Sequence, residues 1–322
     1  MLPHNTLIQW ETRPSVRRMK LRIAVGVLVV AVVALLVNEL AANKDHRQAE
    51  PFAGGHVLEL DGPDLNVREY GPPADRAVVL LHGYSASVEW WDRVAGQLAR
   101  DHRVIAIDLV GHGGSEAPAD GAPYRSDAQA AAVRNALVAL GVRHAVLIGH
   151  SMGGAVSAEL ARQYPDLVER VVVSDTPGAD DLVAMPLLGQ MVCWPVIGPA
   201  LDLFRGIDAI SEGSLQTGFA ADYPVPDYAH RSLERLTYTG LCDSTEGPHP
   251  TVETLAALHK PVLVVWGDED VLTPTAPNVE RYTAAGLPPV VIKGSGHTPM
   301  VEQPDQFLAA VTDFIKTPAP VR

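Results

Sequence analysis

The amino-acid sequence predicts an α/β fold, a mostly parallel β-sheet of eight strands with helices on both faces. Continuous β-branched runs alternate along the chain with segments of helical period, which is typical of strand, helix, strand units. A balance of 47% hydrophobic and 20% charged residues in 322 residues is that of a globular protein with a sizeable core. The predicted strands cover residues 56–60, 66–70, 77–82, 103–108, 145–150, 170–175, 261–267 and 289–293.

The first two predicted strands, residues 56–60 and 66–70, differ from the later ones. Both alternate in polarity and they lie close together in the chain, as expected for a half-exposed antiparallel hairpin. The later strands are continuous apolar runs, which is typical of strands buried on both faces of a parallel sheet. Segments of helical period lie between the strands, at residues 87–101, residues 126–141, directly after Ser151 and at residues 304–316.

The N-terminal part of the chain has the composition of a membrane-spanning helix. Residues 23–37, IAVGVLVVAVVALLV, carry no charge and follow a basic stretch that contains Arg13, Arg17, Arg18, Lys20 and Arg22. We predict a basic cytoplasmic segment over residues 1–20 and an uncleaved transmembrane signal anchor over residues 21–42. The positive-inside rule then places the rest of the chain on the extracytoplasmic side.

Two other interpretations of this segment stay open. A cleaved signal peptide would give a secreted protein, although NELAANKD fits a small-residue cleavage site poorly because Leu40 lies two positions before Ala42. A buried core helix is the second alternative, because an apolar run confined to residues 23–37 is short for a membrane span.

The predicted sheet domain is interrupted by an insertion. A polar linker over residues 43–55 leads to the first part of the domain, residues 56–178, and the second part covers residues 260–322. Residues 179–259 contain no convincing strand and are rich in proline, methionine and large apolar side chains. We predict a helical cap there, inserted at a strand end, whose apolar side chains shape a substrate pocket.

Cysteine content and charge exclude several classes of protein. Cys193 and Cys242 are the only cysteines, too few for a disulfide scaffold or a four-cysteine zinc site. Because the predicted compartment is often oxidising, we hypothesise a disulfide between them. The formal net charge of −13 argues against a nucleic-acid partner, since it gives no overall attraction for phosphate groups.

The pentapeptide GHSMG, residues 149–153, is the strongest chemical signal in the chain. By itself it fits a small serine in a glycine-rich turn. Here it joins a predicted buried strand to a predicted amphipathic helix, which is the context of a nucleophile on a sharp strand-to-helix turn. We therefore predict Ser151 as a catalytic nucleophile, with the backbone N–H of Met152 and the positive end of the helix stabilising an oxyanion.

A serine hydroxyl needs a general base, an acid to orient that base, and a second oxyanion donor. In the chain order Ser, acid, His, the only histidine after Asp270 is His297, in a glycine-rich loop behind the last strand. Asp270 follows the strand PVLVVWG, and Asp175, after the preceding core strand, is the alternative acid. The backbone N–H of Tyr84, behind the third strand, is the predicted second donor.

These motifs together resemble the α/β-hydrolase family, whose eight-stranded sheet carries a helical cap. The resemblance rests on HGYS (82–85), DLVGHGGS (108–115), GHSMGG (149–154), WGDEDVLTP (266–274) and GSGHTPMVEQP (294–304), which occur in family order from about residue 56 to the end. It implies Ser151 as nucleophile, His297 as base, Asp270 as acid, and the N–H groups of Tyr84 and Met152 as the oxyanion hole. It implies neither a metal nor a cofactor.

The resemblance narrows the reaction further than it narrows the substrate. A serine at the nucleophile position argues against dehalogenases and epoxide hydrolases of this family, which use aspartate there, and favours acyl transfer to water. The predicted anchor and apolar cap resemble membrane-anchored monoacylglycerol lipase-like hydrolases. We therefore expect an esterase acting on lipid-like or apolar acyl esters. The alternatives are an amidase, a carbon–carbon bond hydrolase and a non-catalytic binding protein of the same fold.

Overall fold

The structure, a computed structural model, describes residues 14–184, 187–244 and 250–316. Residues 1–13 of the predicted cytoplasmic segment lie outside the described residues. The strands are β1 (His56–Leu58), β2 (Leu65–Tyr70), β3 (Arg76–Leu81), β4 (Arg103–Ile107), β5 (His144–His150), β6 (Val168–Ser174), β7 (Val262–Gly267) and β8 (Val290–Ile292). All eight predicted strands are thus confirmed.

One long helix precedes the first strand, and the other helices cover both faces of the sheet or lie in the long segment between β6 and β7. They are α1 (Pro14–Ala42), α2 (Asp92–Leu98), α3 (Ser126–Ala139), α4 (Met152–Gln163), α5 (Leu187–Met191), α6 (Ile197–Asp202), α7 (Asp208–Leu215), α8 (Asp227–Glu234), α9 (Tyr238–Asp243), α10 (Thr251–Ala257), α11 (Thr275–Ala284), α12 (Pro299–Glu302) and α13 (Pro304–Lys316). A 3₁₀ turn, Val88–Trp91, precedes α2.

The sheet has the strand order β1-β2-β4-β3-β5-β6-β7-β8. β1 pairs with β2 and β2 with β4 in antiparallel fashion, so the predicted N-terminal hairpin is confirmed. All pairs from β4 through β3 and β5 to β8 are parallel. Because parallel strands end at the same edge, the loops after β3, β5, β6, β7 and β8 gather at the carboxyl edge of the sheet.

The continuous apolar strands are explained by a core on each face of the sheet. Successive residues of β5 point to opposite faces, so Leu147 packs under α3 and α4 while Val146 and Ile148 pack under α2 and α13. All three side chains are fully buried. This two-sided burial is the reason that the parallel strands show no polar alternation.

The insertion between β6 and β7 is helical, as predicted, and contains no strand in its described residues. Residues 185–186 and 245–249 of the predicted cap lie outside the described part of the chain. A disulfide joins Cys193, between α5 and α6, to Cys242 in α9, the pair hypothesised from the sequence. The following helix, α10, packs on α4 and places Val252 and Leu255 in the core on that face of the sheet.

Helix α1 lies outside this core. Residues Arg18–Ala42 have a mean hydropathy of 2.6, are long and apolar enough to cross a membrane, and are not buried over their most apolar window. The alternative of a buried core helix is therefore wrong. By length and composition α1 is a candidate membrane span, and a signal sequence has the same properties.

Candidate active site

Ser151 lies on a strained turn between β5 and α4. Its backbone has φ 50° and ψ −120°, a conformation that is costly for a residue with a side chain and that is typical of functional sites. The N–H of Ser151 donates to the carbonyl of Ser174 at 2.9 Å, which fixes the turn against β6. A Cβ at Gly153 would overlap the backbone carbonyl of Leu81, so the turn requires glycine there.

The two residues predicted as oxyanion donors belong to the helix that follows Ser151 and to the loop after β3. Met152 is the first residue of α4, where backbone N–H groups lack helical acceptors and the helix dipole is positive. The loop after β3 passes close by, since a Cβ at Gly83 would lie 3.1 Å from the Cβ of Ser151. The next residue, Tyr84, donates its hydroxyl to the carbonyl of Leu241 in α9 at 2.6 Å, which fixes this loop to the cap.

His297 and Asp270 come together behind β8 and β7. The Nδ1 of His297 lies 2.8 Å from Oδ2 of Asp270. Because a carboxylate only accepts, Nδ1 carries a proton and donates a hydrogen bond to it. Both residues are buried, with exposed fractions of 4% for His297 and 5% for Asp270. Thr273 holds the carboxylate in place, donating its backbone N–H to Oδ1 at 2.8 Å and its hydroxyl to Oδ2. This tautomer leaves Nε2 of His297 available as a base.

Asp175, the alternative acid, lies beside this pair but is engaged elsewhere. Its Oδ1 accepts the N–H of Gly267 at 2.8 Å and its Oδ2 accepts the hydroxyl of Ser174 at 2.7 Å. Complete burial, with the charge of Asp270 nearby, raises the pKa of Asp175 well above its ordinary value. The geometry therefore favours Asp270 over Asp175 as the partner of His297.

The three side chains of Asp175, Asp270 and His297 are also the group in the described residues that is close enough to bind a metal ion, with ligand atoms within 4.8 Å of one another. Each carboxylate oxygen in this group already accepts a hydrogen bond from the protein. The donor set is thus that of a hydrogen-bonded carboxylate–imidazole network.

Comparison with known proteins decides the family. The sequence profile described as the alpha/beta hydrolase family matches residues 78–310, which is most of the chain. The chain belongs to the alpha/beta hydrolase family. Its resemblance to esterase- and lipase-like members, inferred from the motifs, is thereby confirmed, and the protein is a hydrolase.

Members similar to this hydrolase differ in the reactions for which they are named. Lipase 1 of Psychrobacter immobilis is 27% identical over 290 residues, covering 84% of this chain and 88% of the lipase. The 2-hydroxymuconate semialdehyde hydrolase of a Pseudomonas strain is 28% identical over 288 residues, covering 83% and 95%. The crystal structure of the enol-lactonase from Burkholderia xenovorans has a TM-score of 0.70 at 23% identity, covering 81% and 100%. The likeness to the enol-lactonase structure shows that the two proteins share a fold.

Two side chains that the sequence analysis did not place in the site position the His297 loop of this hydrolase. Nε2 of His150 donates to the backbone carbonyl of His297 at 2.8 Å, and their ring centroids are 4.8 Å apart. Burial, with His297 nearby, lowers the pKa of His150 well below its ordinary value, so the ring stays neutral. The motif GHSMG contains His150, but it does not indicate which group this side chain holds.

Glu302 is the second such side chain. Its carboxylate accepts the N–H of Gly296 at 3.0 Å and that of Thr298 at 3.1 Å, the two residues that flank His297. It also accepts the N–H of Ala220 in the cap at 2.8 Å. One buried carboxylate thus ties the histidine loop to the cap. Its signal in the sequence is the glutamate of GSGHTPMVEQP, five positions after the histidine.

Two other buried histidines, His82 and His112, lie in the loops after β3 and β4. Nε2 of His82 accepts the N–H of Leu109 at 3.0 Å and Nδ1 donates to the carbonyl of Gly83 at 2.7 Å, which joins the loops after β3 and β4. Burial lowers the pKa of His82 to about 3 and that of His112 to about 4, so both are neutral at physiological pH.

Aromatic side chains form an apolar wall next to Ser151. Trp90 stacks over His150 with centroids 6.4 Å apart, and the cap adds Phe219 at 5.6 Å and Tyr228 at 6.0 Å from Trp90. Phe219 and Trp90 are nearly completely buried. The surroundings of His150, the neighbour of Ser151, are therefore apolar.

Proposed function

We propose that the protein is a serine hydrolase of carboxylic esters, with Ser151 as nucleophile, His297 as general base and Asp270 as the orienting acid. The observation that carries the proposal is the buried 2.8 Å hydrogen bond between His297 and Asp270, at the sheet edge where the strained turn holds Ser151. A serine with a base that is itself oriented by a third group is the arrangement for nucleophilic acyl transfer.

Acylation begins when Oγ of Ser151 attacks the ester carbonyl carbon and its proton passes to Nε2 of His297. The N–H groups of Tyr84 and Met152 donate to the oxyanion of the tetrahedral intermediate, and Asp270 stabilises the imidazolium. The intermediate then collapses, the alcohol leaves with the proton from His297, and the acyl group stays on Ser151. A water molecule activated by the same base releases the acid and restores the serine.

The substrate class that we propose is a lipid-like or apolar acyl ester. The aromatic wall of Trp90, Phe219 and Tyr228 supports it, because such side chains favour an apolar acyl chain over water. A candidate membrane span at the N-terminus would keep the site close to lipid esters. The relative named Lipase 1 agrees with this substrate class.

For localisation we propose a cytoplasmic segment over residues 1–20, a single span over 21–42 and a linker over 43–55, with the catalytic domain on the extracytoplasmic side. The cap, over residues 179–259, then divides the domain into residues 56–178 and 260–322. The Cys193–Cys242 disulfide supports an oxidising compartment. Mass spectrometry of the protein from its native membrane is expected to find the intact N-terminal segment, and a mature chain beginning near residue 43 would instead show secretion after cleavage.

A carbon–carbon bond hydrolase is the second candidate, since one similar protein is a 2-hydroxymuconate semialdehyde hydrolase. An amidase and a non-catalytic binding protein are the remaining alternatives. Reaction with a fluorophosphonate probe separates the binding protein from the enzymes, because the probe modifies only an activated serine. We expect labelling of Ser151 in the wild type and none in Ser151→Ala.

The substrate proposal is tested with a series of p-nitrophenyl esters, from acetyl to palmitoyl, and the full-length protein in detergent. We expect a maximum at medium or long acyl chains and a loss of about 10³- to 10⁶-fold in kcat for Ser151→Ala. A maximum at acetate would refute the lipid-like substrate and keep the esterase. Wild-type turnover in Ser151→Ala would refute the proposed mechanism.

A further inference from the structure

The cap carries a concentration of exposed large apolar side chains. Outside α1, the described chain exposes nine such side chains, and six of them fall within residues 194–210. We call these six the apolar cap patch: Trp194, Ile197, Leu203, Phe204, Ile207 and Ile210. The exposed fractions reach 71% for Leu203 and 52% for Phe204. A soluble surface seldom exposes so many large apolar groups in one short segment, unless it binds another apolar surface.

The position of the patch indicates what that surface is. Helix α6, which begins at Ile197, packs against the carboxyl-terminal end of α1. The N–H of Val196, between Trp194 and Ile197 of the patch, donates to the carboxylate of Glu39 near the end of α1. The apolar cap patch therefore begins beside the point where the candidate membrane span ends.

The length of α1 sets the depth of this contact. Its segment Arg18–Ala42 has 25 residues, which at a rise of about 1.5 Å per residue exceeds a hydrocarbon core of about 30 Å. When α1 spans a bilayer, Glu39 lies at the membrane surface, and the start of the patch, next to Val196, lies at the same level. Trp194 and Phe204 are aromatic side chains, which are favoured at that depth.

The charges around the patch favour the apolar interior of the bilayer over anionic headgroups. Asp202 and Arg205, which lie among the patch residues, pair with each other at 3.2 Å. In sequence, residues 194–210 contain two aspartates and one arginine, so this segment has no basic excess to attract anionic lipids. Apolar burial is the remaining source of attraction.

We propose that the apolar cap patch inserts into the surface of the same lipid bilayer that α1 crosses. This docking deepens the proposed function, on which its consequence for the substrate rests. The Cys193–Cys242 disulfide connects the patch to α9, and the carbonyl of Leu241 in α9 accepts the hydroxyl of Tyr84 in the oxyanion loop. A docked cap thus holds the active site against the membrane, where an apolar ester passes from lipid to enzyme.

The docking itself is tested by tryptophan fluorescence, without reference to activity. The full-length protein is placed in phosphatidylcholine vesicles with or without brominated acyl chains, which quench only tryptophans that reach the acyl region. We expect Trp194→Phe to lose a measurable part of the wild-type quenching. Equal quenching of the two proteins would overturn the proposal. So would light scattering that finds a dimer whose contact shields the patch, since a second copy would then be the occupant.

A second pair of variants separates docking from catalysis. Leu203→Asp/Phe204→Asp places charges on the patch, and Val138→Asp is the matched control, since Val138 is an exposed apolar residue on α3. We expect the double variant to raise KM for a vesicle-embedded ester about 10-fold and to leave kcat/KM for a soluble ester within about 2-fold. Identical vesicle kinetics in the double variant and the control would contradict docking. If the esterase proposal fails instead, both ester activities are absent while the bromolipid quenching persists.

Discussion

The loops at the carboxyl edge of the sheet and the helices of the cap meet near Ser151, but different interactions stabilise them. The loops are fixed by buried carboxylates: Asp270 accepts hydrogen bonds from Thr273 and His297, and Glu302 accepts them from the backbone on both sides of His297. The cap is stabilised within itself by apolar packing and one disulfide, it is joined to the loops by the hydrogen bonds of Tyr84 and Glu302, and it exposes large apolar side chains.

This difference corresponds to two tasks. Acid–base chemistry needs the imidazole in one orientation, which directional hydrogen bonds in a dry site provide. Binding an apolar chain or a lipid surface needs area rather than direction, which apolar side chains provide. We therefore expect changes in the loops to alter turnover, and changes in the cap to alter protein stability and the access of substrate to the site.

The largest effect is expected from the carboxylate that orients the base. Asp270→Asn should lower kcat by about 10³- to 10⁴-fold, because the amide no longer fixes the Nδ1–H tautomer of His297. Asp175→Asn should lower kcat by less than about 10-fold, because the carboxylate oxygens of Asp175 accept hydrogen bonds from Gly267 and Ser174. Ester hydrolysis by both variants at one pH measures the difference.

If Asp175→Asn were the more damaging change, the acid would be Asp175, which follows β6, and Asp270 would not have the proposed role. Thermal unfolding of both variants controls for loss of fold. In the double variant, kcat should fall below that of Asp270→Asn by no more than the small factor that Asp175→Asn causes alone.

Loss of the disulfide should act on stability rather than on chemistry. The bridge closes a long loop, because its cysteines are 49 positions apart, so Cys193→Ser/Cys242→Ser should lower the free energy of unfolding by about 2–4 kcal/mol. Turnover of a soluble ester at low temperature should change by less than about 3-fold, since the bridge joins two parts of the cap, whereas His297 and Asp270 lie on loops of the sheet domain. Chemical denaturation and ester hydrolysis measure the two quantities. A variant that is fully stable but inactive would show that the cap is part of the chemistry.

The smallest effect concerns the buried neutral histidines of the loops. An unfolded histidine titrates near pH 6.5, whereas burial lowers the pKa of His112 to about 4. Between these values the unfolded chain binds more protons, so the free energy of unfolding falls as the pH falls. His112→Gln should therefore reduce the loss of stability between pH 6.5 and 4.5 by about 2 kcal/mol. Denaturation curves at both pH values test this, and an unchanged pH dependence would mean that His112 is not buried as a neutral ring.

The sheet and the strand-to-helix turn that carries Ser151 could be predicted from the sequence because both leave local patterns. Strands buried on two faces are continuous β-branched runs, and a serine on a sharp turn needs Gly149 and Gly153 at fixed spacing. The sequence left the acid open, because Asp175 and Asp270 both follow strands whose ends meet at one edge. The choice depends on Thr273 and Ser174, which occupy the oxygens of the two carboxylates.

The positioning groups and the cap surface leave no such pattern. Glu302 and His150 lie within recognisable motifs, but they bind backbone atoms, so the motifs do not show which groups they hold. The apolar residues of the cap were expected to shape the substrate pocket, yet Leu203 and Phe204 are exposed. Helices of five to eight residues show too few turns for periodicity to separate an inward from an outward face.

The proposed function requires that Ser151 carry the acyl group during turnover. Mass spectrometry of the full-length protein, quenched in acid within the first turnovers of p-nitrophenyl butyrate, tests this step. We expect a butyryl adduct on the peptide that contains Ser151, and no adduct in Ser151→Ala. An adduct on another residue, or ester turnover that persists in Ser151→Ala, would contradict the proposed role of Ser151.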